Sequence, residues 1–162
     1  MSLKRIILLL CAATLVLACG GEEETVEIEG GELTFEAKGE GVRISGEKEG
    51  VGAISGQFGE NAEIPDGFPE DVPIYPGSKV IGGMVAGAGG MVTLQTGDDA
   101  EKVAAFYREK LVNEGWNLVP EMVLGGRQVL PIEKESRNGA VQISREAKAT
   151  TIVLTVGMGP GS

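Results

Sequence analysis

Histidine is absent from this chain, and both of its cysteines fall within the first nineteen residues. The missing imidazole removes the commonest general base, the commonest zinc ligand and the usual titrating group near neutral pH. With no cysteine after Cys19, residues 20–162 hold neither a thiol nor a possible disulfide. A long apolar run is also lacking. The longest, Ile6–Ala18, has thirteen residues, short of the roughly 20 that cross a bilayer core comfortably. A basic surplus is missing too: the formal net charge is −10, which argues against a nucleic-acid partner. Catalysis would have to rely on carboxylates, Lys, Ser, Thr or Tyr, and no pair of these stands out from caps, turns and surface. The expectation is no catalytic residue, no metal site and no cofactor.

What is present begins with an address. Lys4 and Arg5 precede the apolar run, which is followed by Cys19-Gly20-Gly21 and then Glu22, Glu23 and Glu24, the layout of an export signal. The junction Leu15-Val16-Leu17-Ala18-Cys19 resembles the lipobox of bacterial lipoproteins, although Leu17 is bulkier than the small residue common there. The resemblance implies removal of residues 1–18 and lipidation of Cys19 with diacylglycerol and a further acyl chain of the palmitate kind. Two or three chains, at about 0.8 kcal/mol per buried CH₂, give a stable anchor. Gly20, where an inner-membrane retention signal often shows Asp, points to the outer membrane and a periplasm-facing domain.

The acidity is uneven: residues 22–71 hold fifteen acidic and three basic side chains, residues 72–162 nine of each. Within the acidic part, Thr25–Glu29, Glu32–Glu36 and Val42–Ser45 alternate apolar and polar residues, with glycine pairs between them about every ten residues. That period predicts short β-hairpins over residues 19–62, with an acidic stalk as the alternative. The four prolines of Ile64–Gly77 predict an extended connector over residues 63–77. Its Phe68, Val72, Ile74 and Tyr75 suit a strap across the domain that follows.

Residues 78–157 read as a compact α+β domain of β-β-α-β-β-β-β order, an antiparallel sheet with one helix on one face, followed by a flexible tail over 158–162. Lys79–Val85 and Met91–Thr96 form a hairpin. Asp98, with Glu101 three residues on, predicts an N-cap and capping box for a helix Asp99–Glu114 that ends at Gly115 with Trp116 folded back. Asn117–Val123, Arg127–Glu133, Ala140–Arg145 and Thr150–Val156 then form a meander, turned by Gly125-Gly126 and Asn138-Gly139. Pro131 places its strand at an edge or a bulge. The run from Ile64-Pro65 to Pro76-Gly77, with Val103, Phe106-Tyr107, Leu111 and Gly115-Trp116, resembles poorly characterised bacterial envelope lipoproteins. That group implies location and this element order, and no activity.

Other constellations have simpler readings. The glycine clusters at 50–56, 82–83 and 87–90 lack the strand-turn-helix context of a phosphate loop and read as turns and kinks. Asp66, Glu70 and Asp71 lack the alternating ligands of a calcium loop. Lys134, Arg137, Arg145 and Lys148 could meet an anionic partner, but interleaved glutamates blunt their field. Two functions follow: a non-enzymatic, membrane-anchored lipoprotein binding an envelope protein, with the sheet edge beside Pro131 as a contact; or a carrier of a small hydrophobic or lipid-like ligand in a helix–sheet groove lined by Val103, Phe106, Leu130 and Ile143.

Overall fold

In the computed structural model, which describes residues 23–158, eleven strands join in one antiparallel sheet. The first four, β1 (Glu23–Ile28), β2 (Gly31–Lys38), β3 (Gly41–Lys48) and β4 (Gly52–Gly59), run as a meander with glycine-bearing turns between them. The glycine-rich stretch 50–56, expected as turns and kinks, is mostly strand: β4 pairs with β3 on one side and with β5 (Lys79–Ala86) on the other. Its missing side chains lower strand propensity, yet close pairing on both sides overrides that preference.

The sheet continues through β6 (Gly89–Thr96), then β11 (Ala149–Met158), β10 (Arg137–Glu146) and β9 (Arg127–Lys134). Outside β9 lie two short segments, β7 (Asn117–Leu118) and β8 (Met122–Leu124). Five strands therefore follow the helix where four were expected. Pro120 has no N–H to donate and splits the expected strand Asn117–Val123 in two. Pro131 sits opposite that break, its carbonyl accepting from the Val119 amide at 3.0 Å. The β8–β9 turn is Gly125-Gly126, with φ of 59° and 78°, a conformation only glycine adopts cheaply. The β9–β10 turn is Glu135-Ser136, whereas Asn138-Gly139 lies inside β10 paired with Glu133 and Ile132. Gly139 is needed there because a Cβ would run into the Thr155 carbonyl. The final strand reaches Met158, and the rest of the expected tail lies outside the described residues, as do the leader and Cys19.

One helix, α1 (Ala100–Asn113), packs on the sheet. Val103, Ala104, Tyr107 and Leu111 are fully buried from its inner face, as their 3–4 residue spacing requires. The helix closes in a Schellman arrangement: Trp116 N–H bonds Leu111 O at 2.9 Å and Gly115 N–H bonds Val112 O at 3.0 Å. Leu94, Leu130, Ile132, Val141, Ile143, Ile152 and Leu154 meet the helix in one core cluster. The connector adds Phe68, Val72 and Tyr75 to the same cluster, so its apolar residues do strap the sheet. The class is α+β, a mostly antiparallel sheet with one helix.

Candidate interaction surface

Opposed residues of an antiparallel pair point to the same side of the sheet, so the strand register sorts every side chain onto one of two faces. One face carries Val85, Val92, Leu94, Ile152, Leu154, Val141, Ile143 and Leu130, and is covered by α1 and the connector. In the first four strands the same face is polar: Thr25, Thr34, Ser45 and Ser55 stand in one row, and Glu23, Glu36, Arg43 and Gln57 in another.

The opposite face is different. One row runs Phe35, Ile44, Gly56, Met84, Met91, Thr155, Ala140, Pro131, and the next runs Ala37, Val42, Phe58, Gly82, Thr93, Val153, Gln142, Val129, Met122. A third begins Val26, Leu33, Gly46, Ile54, Ala86. Among the described residues, the only charged positions on this face are at its rims: Glu24, Lys48, Lys79, Arg127, Glu133 and Glu146. None of the connector or α1 residues in the core cluster pack on it, and Val26, Val42, Phe58, Met84 and Met91 are 36–41% exposed. Its glycines make room for neighbouring side chains to lie flat. A Cβ on Gly46 would meet the Leu33 side chain at 3.0 Å, one on Gly56 the Met84 Cγ at 3.4 Å, and one on Gly82 the Phe58 ring at 2.6 Å. The result is a pavement without charge at its centre, apolar over β1–β5 and interspersed with Thr93, Thr155 and Gln142 beyond.

The charged groups singled out in the sequence serve the covered side. Asp71 receives Lys134 Nζ at 2.6 Å and both Arg137 Nη atoms at 3.0 and 2.5 Å. Hydrogen bonding to Arg137, with Lys134 assisting against the cost of partial burial, holds its carboxyl near pKa 2. Both cations lie over the Trp116 ring, at 5.8 and 4.8 Å. Arg145 is at the far end of β10, where it donates to the Asp98 carbonyl at 2.8 Å, and Lys148 is exposed in the last turn. The four cations thus form no single patch. Asp66 and Glu70 stay on the connector, and no three described acidic residues converge as a metal site.

Asp98 is not the N-cap. That position falls to Asp99, whose side chain makes no capping bond. The Asp98 carboxylate instead accepts from Tyr75 Oη at 2.7 Å and Lys102 Nζ at 2.9 Å, and the Lys102 bond lowers its pKa. Burial raises the pKa of Tyr75, and the Asp98 bond raises it further. Beside them Tyr107 is fully buried, its hydroxyl near the Tyr75 backbone but without a well-formed hydrogen bond to any described residue. Desolvation pushes its pKa well above the ordinary tyrosine value, with the Tyr75 backbone opposing.

Val103, Leu130 and Ile143 are closed into the core, and Phe106 packs on it half-buried. Two open hollows, of about 500 and 630 Å³, lie on the acidic strands, the first between Val42, Arg43, Gln57, Phe58 and Glu63, the second between Glu27, Gly31, Glu32 and Glu47. At the sheet edge beyond Pro131, Met122, Val123 and Leu124 are 44–73% exposed.

A family model described as START domain-like matches residues 79–151, from β5 into β11. The chain is similar to that family over this stretch, which is less than half of its length. No curated protein and no solved structure matches it.

Proposed function

We propose that this chain is a non-enzymatic lipoprotein of the bacterial envelope, held by acyl groups on Cys19 in the outer membrane, and that its open sheet face binds a protein. The leader carries the anchoring half of the reading: a short apolar run ending in Ala18-Cys19, with no described helix long and apolar enough to cross a membrane. The binding half rests on one observation, a centrally uncharged and largely apolar face that no described residue covers, running the breadth of the sheet. Monomeric proteins seldom leave so much contiguous apolar surface to water without a use for it. Met122 and Leu124, which the register places on this same face, extend the candidate contact area toward Pro131.

The test has two parts. Mass spectrometry of the protein from its native membrane should find Cys19 as an acylated amino terminus, with a Cys19→Ala variant released. Val42→Glu on the face should abolish a crosslinked protein product that Val123→Glu, on the covered side, leaves intact. An unmodified terminus sinks the anchor, and equal products from both variants sink the face.

A second reading, carriage of a hydrophobic or lipid-like ligand between helix and sheet, is compatible with the START domain-like similarity over 79–151. The unpartnered Tyr107 hydroxyl at that seam also favours it. It requires Val103, Leu130 and Ile143, all now buried in the core, to part.

A further inference from the structure

Resting on the reading of the open face as a protein-binding surface, we infer that its occupant is a second copy of this chain, stacked face to face as a two-layer sandwich. A sheet with one apolar face ordinarily buries it beneath another layer. Here α1 and the connector cover only the other side, and the open face is left as half of such a pair. Two copies bring the apolar half of each face onto the uncharged, partly polar half of the other across about 10 Å, the usual spacing of stacked sheets.

The dimensions suit a stable pair. Ten strands stand side by side, which at ~4.8 Å each gives a strip about 45 Å wide. The uncharged rows run roughly 15 Å along the strands. Each copy would then contribute on the order of 700 Å², close to the ~800 Å² per partner of ordinary specific interfaces. Docking as a flat surface is favoured by the glycines at 46, 56 and 82, over which Leu33, Met84 and Phe58 already lie.

Charge selects the orientation. Residues 23–59 hold nine acidic and three basic side chains, residues 79–158 nine of each. Stacking first strands on first strands would bring two net-negative ribbons together. A two-fold axis parallel to the strands and passing between β5 and β6 sets the acidic ribbon of each copy over the neutral half of the other. It also places Met84 of one copy against Met91 of its partner, because these residues are opposed in the register.

A photo-crosslinking amino acid at Met91 in the full chain, irradiated in the producing cells, tests this. The expected product has twice the chain's own mass and is reduced at least tenfold when Met84→Glu is added, but not when Val123→Glu is added. Chains carrying only Met84→Cys, mixed with chains carrying only Met91→Cys on a Cys11→Ser background, should be joined by a bismaleimide that spans the ~10 Å between stacked sheets, a gap too wide for a direct disulfide. A product of another protein mass overturns self-pairing and leaves the protein-binding reading standing. Attachment to lipid alone, or no product, overturns both.

Discussion

The indole Nε1–H of Trp116 donates a 2.8 Å hydrogen bond to the backbone carbonyl of Asp71, 45 residues earlier. It pins the connector to the end of α1, under the Lys134 and Arg137 cations that cover the same ring. Trp116→Phe keeps an aromatic ring but loses the bond and some volume. It should cost about 2–3 kcal/mol in urea unfolding, from a lost bond to a half-buried carbonyl plus the gap left behind. A cost under about 0.5 kcal/mol, the scale of an ordinary surface change, would show that the connector is held elsewhere.

The Asp71 carboxyl gives this pin an acid limit. Its pKa lies near 2, below the ordinary 3.8, so its contribution is complete above about pH 4 and disappears as pH falls through 2. Asp71→Asn leaves Lys134 and Arg137 without their anion and should lower stability at pH 7 by about 1–3 kcal/mol. The gap between wild type and variant should close between pH 4 and 2. A gap that stays constant over that window would mean that the ion cluster contributes nothing through its charge.

At the start of α1 the two aspartates have exchanged roles relative to the sequence pattern. Asp99 stands at the N-cap without a capping bond, whereas Asp98 binds Tyr75 and Lys102 through its side chain and accepts Thr150 Oγ1 at 2.6 Å through its carbonyl. Asp98→Ala, which loses both side-chain bonds, should therefore destabilise the protein more than Asp99→Ala, which loses no capping bond. The reverse ranking in thermal melts would restore the capping box.

These cases mark where sequence reasoning reaches its limit. The helix, its Gly115 terminus and the strand periods were legible because each depends on residues within one or two turns of chain. The exchange at Asp98 and Asp99 was not, since it depends on Tyr75 lying 23 residues away. The move of the β9–β10 turn from Asn138-Gly139 to Glu135-Ser136 likewise follows from Gly139 fitting against Thr155 on the next strand. Val26, Leu33, Phe35, Val42 and Ile44 announced alternation, but only the pairing of β4 with β5 joins them to Met84 and Met91 in one open face. The glycine-rich sequence of β4 concealed that link.

Gly82 tests the paving of that face. A Cβ there would lie 2.6 Å from the Phe58 ring and 2.9 Å from the Gln57 carbonyl, and the carbonyl cannot swing aside as a side chain can. Gly82→Ala should destabilise by about 1–3 kcal/mol through overpacking. Adding Phe58→Ala should recover only the part due to the ring. Full recovery in the double variant would show that the backbone approach is harmless.

Tyr107 separates a filled helix–sheet seam from one that admits a ligand. Its hydroxyl is buried without a well-formed bond to any described residue, at a cost of up to roughly 1–3 kcal/mol relative to a satisfied group. Removing the oxygen by Tyr107→Phe leaves the ring contacts with Tyr75 and Phe106 at 6.4 and 5.2 Å in place. In a seam that stays closed, the variant should be as stable as wild type or up to about 1 kcal/mol more stable, since no bond is lost and a desolvated dipole is removed. If the seam instead holds a polar-headed ligand on that hydroxyl, the same change breaks a bond and should lower the melting temperature of protein purified from its native membrane, but not of protein stripped of ligand by solvent extraction. The sign of the shift thus decides whether the ligand-carrier reading retains a binding group at this position.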